Sequence, residues 1–359
     1  MLEKDIFDGI DSFVNYLKNA QKTQKEVLEL LKSAIFEMDV ADNTLEKNVP
    51  NFALLTEKFK PYKVKGNSTE YSILAGDGSR ITIDEEFAFP FYVLKTAVAF
   101  EDYRTGKFLK DDKTKIFFEE ADIFDEETNL LLSDDEINIR MLLEESKFIT
   151  EHIETFKPDY IFVDGSLILW GAKKINPPKT ANLLEKYQKI ILKGKATNKP
   201  LAGVISASKS KEVIKTLGNY INIKEYRSDL DNYLKLIYDA QLMDELLQDW
   251  ERSPLFISTE RLLSYYSEKI YFLFLKTPYE VMRIEIPEYA INETDEICSV
   301  IKNQVEKGRG YPMILILSHN EAVIEEKERR FIESLIAQKL DKSRLFTNPK
   351  YLSKRMKQF

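Results

Sequence analysis

Two short stretches bring the same residue types to the end of an apolar run. Ala75-Gly76-Asp77-Gly78-Ser79 follows Tyr71-Ser72-Ile73-Leu74, and Asp164-Gly165-Ser166 follows Tyr160-Ile161-Phe162-Val163. Short runs rich in β-branched and aromatic residues read as buried strands, so each aspartate is expected at a strand end. Asp-Gly is also a hairpin signal, and that reading stands beside the functional one. If the two strands are sheet neighbours, about 5 Å apart, their carboxylates converge. Close carboxylates repel unless a proton or a cation sits between them. Mg²⁺ or Mn²⁺ is the natural occupant, because hard cations take oxygen ligands. Such a pair, joined by one or two further acids, can drive in-line attack on a phosphodiester.

The helix preceding the second strand should supply the third acid, as Glu144 or Glu145 in Arg140-Met141-Leu142-Leu143-Glu144-Glu145. Either also reads as part of a solvated helix face, and Glu144 lies four residues from Arg140, within pairing reach. His319 closes the apolar run Tyr311 to Leu317, which reads as a last strand. A lone histidine is more often structural than catalytic. Placed at a strand end like the aspartates, it could ligate metal, with a preference for Mn²⁺ over Mg²⁺, or act as an acid or base. His152, on the polar stretch of a helix, reads as structural. Lys209, just after the run 200–206, could contact a phosphate or be an ordinary surface lysine. Arg283 and Tyr311 are candidate substrate contacts of the same kind. No P-loop, G-x-G-x-x-G, G-x-S-x-G or H-E-x-x-H occurs.

Those side chains need a scaffold. A helical pattern covers residues 4–38, and a linker with short helical pieces covers 39–68. Strands are expected near 71–77, 91–103 and 113–122, with the turn between the last two at Lys107 to Asp112. Ser133-Asp134-Asp135-Glu136 is a helix start, and the helix should run to about Thr155. After the strand 160–164 come a helix near 180–192, a short strand at 200–206 and a mostly helical, polar segment at 207–252. Strands at 269–275 and 282–287, a helix 293–307 ended by Gly308, the strand 311–317 and a helix 324–340 complete the order. Strands that first neighbour one another and then alternate with helices fit an α/β layered fold, a mixed sheet flanked by helices.

Composition narrows the function classes. The chain has 359 residues, 43% hydrophobic and 31% charged, which suits a folded core and excludes general disorder. A net charge of -8 argues against an evenly basic surface, yet 52 Lys and Arg leave room for a local basic groove. The single cysteine, Cys298, allows no internal disulfide and no zinc-finger spacing, so a reducing cytoplasmic setting is expected. The start carries no signal-peptide pattern, and no apolar run reaches membrane-spanning length.

In their order and spacing these motifs resemble the NurA nuclease family. The matching pieces are Ala75-Gly76-Asp77-Gly78-Ser79, Phe162-Val163-Asp164-Gly165-Ser166-Leu167, Glu251-Arg252-Ser253-Pro254, Arg283-Ile284-Glu285-Ile286-Pro287, Gly310-Tyr311-Pro312 and Ser318-His319-Asn320-Glu321-Ala322-Val323-Ile324. The resemblance covers roughly residues 70–326. It implies an RNase H-like sheet and a Mn²⁺-dependent deoxyribonuclease. It further implies a homodimer that works on DNA ends, single- and double-stranded, with a HerA-type hexameric ATPase in end resection. Asp77 and Asp164 match the family's metal-binding aspartates, Glu144 its helix-borne glutamate with a one-residue register doubt, and His319 its C-terminal histidine. The implied layout is a helical extension at 1–68, a nuclease domain at 69–345 with an inserted helical segment at 207–252, and a basic tail at 346–359. The acidic balance departs from a simple DNA binder, and suggests that DNA arrives through a channel assembled by the dimer and the ATPase. Two rival readings remain: an RNase H-like scaffold for an ATPase that has lost catalysis, and a small-substrate phosphohydrolase using the same carboxylates.

Overall fold

The computed structural model describes residues 2–45, 52–66, 69–83, 90–125, 127–225, 234–235 and 237–339. The Asn48–Pro50 stretch of the expected linker and the basic tail 346–359 lie outside the described residues. Among the described residues eleven strands form mixed parallel and antiparallel sheet flanked by helices, the α/β arrangement expected from the alternation of elements. The strands in chain order are β1 (Ala53–Leu55), β2 (Tyr62–Lys63), β3 (Ser72–Ile83), β4 (Phe91–Asp102), β5 (Lys107–Phe117), β6 (Tyr160–Asp164), β7 (Leu201–Ile205), β8 (Glu251–Arg252), β9 (Phe256–Ser258), β10 (Ile270–Lys276) and β11 (Val281–Pro287). They belong to two compact units. The first is drawn from Met1–Asn67, Gly165–Ile168 and Ala202–Lys302, the second from Ser68–Asp164, Leu169–Leu201 and Asn303–Phe359.

In the second unit the strand order is β6-β3-β4-β5. β3, β4 and β5 are successive antiparallel neighbours, and β6 joins β3 in parallel. Helix Asp134–Phe156 packs on one face, where Ile149 and Met141 reach the backbone at Gly76 and Gly78. Its start is the capping box that the sequence announces. Glu136 N–H donates to Ser133 Oγ, and Glu136 Oε2 accepts from Ser133 N–H at 2.8 Å. Helix Met313–Ala322 lies on the opposite face, where the odd-numbered residues of β3 and β4 point: Asp77, Ser79 and Lys95 all bond to it or to Val323 just beyond it.

Several expectations fail in this unit. β3 does not end at Asp77: Gly78 stays in the ladder opposite Thr96 and makes no turn, so the strand runs on to Ile83 and Asp77 lies mid-strand. The strand expected near 113–122 ends at Phe117, and residues 120–123 form a short helix. The run 311–317 is not a strand; residues from Met313 form a helix that begins after Pro312. Its apolar residues run without a break, so neither a period of two nor one of 3.6 stands out. The turn between β4 and β5 falls at Tyr103–Gly106, with Gly106 at φ +69°, not at Lys107 to Asp112. The polar run Lys107-Phe108-Leu109-Lys110-Asp111-Asp112 is an edge strand with both faces exposed, where lysines are tolerated and discourage further pairing.

In the first unit the order is β1-β9-β10-β11-β7, with β8 on β10 and β2 on β8. The segment 207–252, expected to be polar, contributes a buried side. Val213, Ile214 and Leu217 from helix Glu212–Glu225, with Leu242 and Met243 from helix Asp239–Leu246, join Val27, Leu31 and Ile35 of the N-terminal helix over Phe272 and Phe274. Among the described residues no helix is long and apolar enough to cross a membrane.

Candidate active site

The last pair of the parallel β3–β6 ladder is Gly76 with Val163, so Asp77 and Asp164 are the next residues on each strand. β6 ends there, while β3 continues to Ile83 against β4. Both aspartates follow the same alternation and stand on one face of neighbouring strands. The backbone after Asp164 turns sharply: Gly165 has φ +118°, a conformation that L side chains resist. A Cβ there would meet no protein atom within 4 Å, so the backbone conformation is what favours glycine at this position.

Each aspartate has a protein partner from the C-terminal part of the unit. His319 Nδ1 lies 2.6 Å from Asp77 Oδ2, and the Tyr311 hydroxyl donates to Asp164 Oδ1 at 2.6 Å. The helix carrying His319 is fastened around this point. Ser79 Oγ donates to the Ala322 carbonyl, Lys110 pairs with Glu321 at 2.7 Å, and Gln304 Oε1 accepts from Ile314 N–H at 2.8 Å. Gln304 is itself held by donating to the hydroxyls of Tyr71 and Tyr103.

Glu145 completes the cluster from the other face. It is 4% exposed, and Gly78 allows its approach: a Cβ on Gly78 would lie 3.4 Å from Glu145 Oε2. Burial, and then the charges of Asp77 and Asp164, hold its carboxyl well above the usual carboxylate range. Burial raises the Asp164 carboxyl too, and Asp77 adds to the rise; the Tyr311 bond and the charge of His319 oppose it. Among the described residues no lysine or arginine pairs with Asp77, Glu145 or Asp164; His319 is the basic side chain beside them.

Glu144, the other candidate, points elsewhere. It lines a cavity with Arg140, Lys147 and Lys186. The expected pairing of Glu144 with Arg140 is not the one observed: Arg140 donates to the Tyr92 hydroxyl at 2.9 Å and to the Asp122 carbonyl at 2.7 Å. His152 is held as a structural group, between the Phe148 carbonyl and Asp111. Lys209 and Arg283 belong to the first unit. Lys209 is exposed in a loop. Arg283 lies 2.6 Å from Glu212 Oε2 and 3.0 Å from Glu285 Oε1 and stacks over the Phe272 ring, and at 2% exposure it is buried out of a substrate's reach.

Oxygen donors from three acids with one imidazole nearby suit a hard divalent cation, and the excess negative charge is what such a cation would offset. Among the described residues no three His, Cys or acidic side chains are already gathered as a cation cage. Asp77 and Asp164 hydrogen-bond to His319 and Tyr311 instead, and a bound cation would compete with those bonds.

The family model described as the NurA domain matches residues 71–324. Among solved structures, the NurA nuclease from Sulfolobus solfataricus is similar over 94% of this chain and 98% of its own, at 16% identity and a TM-score of 0.57. A further NurA crystal structure covers 92% of this chain and 98% of its own at 11% identity and TM-score 0.44. One of NurA bound to dAMP and manganese covers 78% and 90% at 10% identity and TM-score 0.41. Among curated proteins no sequence matches. The likeness to the Sulfolobus structure is one of fold.

Proposed function

The chain belongs to the NurA family, and from that premise we propose that it is a divalent-metal-dependent DNA nuclease. The observation that carries this reading is the register of Asp77 beside Asp164, with Glu145 buried against both and no lysine or arginine among the described residues to balance them. Asp77, Glu145 and Asp164 would hold the cation, with His319 as a fourth donor; Mn²⁺ suits the imidazole, and Mg²⁺ suits the carboxylates. The chemistry such a cation supplies when bound is neutralisation of charge at the scissile phosphate.

The chain's own groups divide the remaining work. His319 is 59% exposed, and its Nδ1 is engaged by Asp77. Nε2 is therefore the nitrogen left to serve as that fourth donor. Tyr311 fixes Asp164 through its hydroxyl. Glu145, on a long helix and buried, is placed with little freedom to move.

In this reading the protein works as a homodimer on single- and double-stranded DNA ends in the cytoplasm, together with a HerA-type hexameric ATPase in end resection. Lys209 would contact DNA away from the acids. The test is cleavage of labelled single- and double-stranded DNA with Mn²⁺, Mg²⁺ or EDTA, using wild type, Asp77→Ala and Asp164→Ala. Activity with Mn²⁺ that disappears in EDTA and in both variants is expected. Full activity of either variant would remove the acids from the mechanism, and equal cleavage in EDTA would remove the metal.

A further inference from the structure

We propose that a groove on the outward side of helix Asp134–Phe156 binds the phosphodiester backbone of single-stranded DNA. The groove has a volume of about 690 Å³ and lies wholly within the second unit. That volume is within the range of sites that hold ligands. Lys115 at the end of β5, Arg140 and Lys147 on the helix, and Lys186 and Lys189 at the junction of the next two helices all line it. In a chain of net charge -8 this is a local concentration of the opposite sign.

Not every cation in it is spent on the protein. Arg140 is tied to Tyr92 and Asp122, and Lys147 stands 4.0 Å from Glu151. Lys186 and Lys189, by contrast, form no ion pair among the described residues, and both are exposed. Lys115 lies over the Phe117 ring, 4.3 Å from its centroid, without an acidic partner among the described residues. Leu143 and Leu183 also line it. A positively charged groove that tracks the backbone is the electrostatic part of sequence-independent single-strand binding.

The groove and the acids share one helix. Arg140, Glu144 and Lys147 lie on its groove side at helical spacing, while Glu145, one residue from Glu144, is buried toward Asp77 and Asp164. This gives Glu144 a place: it borders the groove and tempers its charge. The choice of ligand rests on the nuclease reading; the anion-binding site itself does not.

The experiment is fluorescence anisotropy of a labelled oligo-dT in EDTA, so that nothing is cut. It compares wild type with the combined variant Lys115→Gln, Lys186→Gln, Lys189→Gln. All three side chains are exposed, so the melting temperature should not change. Affinity should fall at least about tenfold. The salt dependence of binding should flatten by about 2, since each neutralised phosphate contributes about 0.7 for single strands. Replacement of the same three by Arg should retain binding. Hydrolysis of bis(p-nitrophenyl) phosphate with Mn²⁺, a substrate too small to span helix and groove, should be equal in both proteins. Equal oligo-dT affinity would overturn the groove assignment. So would dAMP binding as tightly as the oligonucleotide and displacing it, because the site would then be a mononucleotide pocket. Absence of phosphodiester hydrolysis in wild type, with the affinity difference intact, would instead count against the nuclease reading alone.

Discussion

The Tyr311 hydroxyl donates to Asp164 Oδ1 at 2.6 Å, against the pull of burial and of Asp77, which both raise the same carboxyl. A hydrogen bond to the charged form favours ionisation, so Tyr311 keeps Asp164 available as an anion. Tyr311→Phe removes that bond and leaves only the charge of His319 against the raising influences. The acid limb of the pH–rate profile should move to higher pH. Activity at neutral pH should fall about tenfold, in line with roughly 1.5 kcal/mol for a hydrogen bond to a charged group. An unchanged acid limb in single-turnover cleavage across pH would show that Asp164 does not depend on this hydroxyl.

Glu145 and Glu144 are adjacent in sequence and opposite in their surroundings. One is buried against two aspartates; the other borders the basic groove. Glu145→Gln should lower Mn²⁺-dependent cleavage by at least about 100-fold, on the scale of losing a group that acts at the reacting centre. Glu144→Gln should change it by less than about threefold. Initial rates on a labelled single strand decide the matter, and a reversed order would move the third acid to Glu144.

The buried acids also set how stability responds to pH without metal. Glu145 keeps its proton in the folded chain well past the ordinary glutamate value of 4.5. Above that value the folded state therefore holds more protons than the unfolded one. Stability then falls as pH rises, until Glu145 ionises in place. The raised Asp164 acts in the same direction from its own ordinary value of 3.8. Metal-free protein should lose melting temperature between pH 5 and pH 8, and Glu145→Gln should flatten that slope. Added Mn²⁺ should restore wild type at pH 8 more than it does the variant, because binding to the folded state alone stabilises it. A parallel pH slope in the two metal-free proteins would contradict the assignment.

Much of this site was legible in the residues. Asp77 and Asp164 announce themselves as acids following apolar runs, but only Asp164 closes its strand; Asp77 lies mid-strand, because the polar residues after it stay paired with β4. The parallel β3–β6 ladder that makes them neighbours is a long-range fact, which no local pattern carries. Glu145 could have been chosen over Glu144 from periodicity alone. It falls four and eight residues before Ile149 and Ile153, both buried, whereas Glu144 lines up with Arg140, Lys147 and Glu151. His319 was identified on the wrong element, since an unbroken apolar run does not reveal its period. Pro312, well suited to a helix start, was the usable sign. Arg283 misled because an arginine in a strand reads as exposed until its partner is known. That partner, Glu212, comes from a helix distant in sequence.

The two glycines beside the aspartates should fail for different reasons when replaced. A Cβ on Gly76 would overlap Ile149 Cγ1, approach Ile149 Cδ1 to 2.8 Å and stand 3.0 Å from the Ala97 carbonyl. That carbonyl belongs to the paired strand and cannot withdraw, so helix Asp134–Phe156 has to shift. Gly76→Ala should cost about 1–3 kcal/mol, the usual range for overpacking. It should also lower activity by moving Glu145, which is carried on the same helix. Gly165→Ala meets open space but must hold φ +118°, a backbone strain of order 1–3 kcal/mol. Its stability loss should be similar, yet its activity loss should track Asp164 alone. Chemical denaturation gives the first quantity for each variant. Glu145→Gln added to each background gives the second: it should cost less activity in Gly76→Ala, where Glu145 is already displaced, than in Gly165→Ala. Equal further losses in the two backgrounds would mean that Gly76 does not set the position of Glu145.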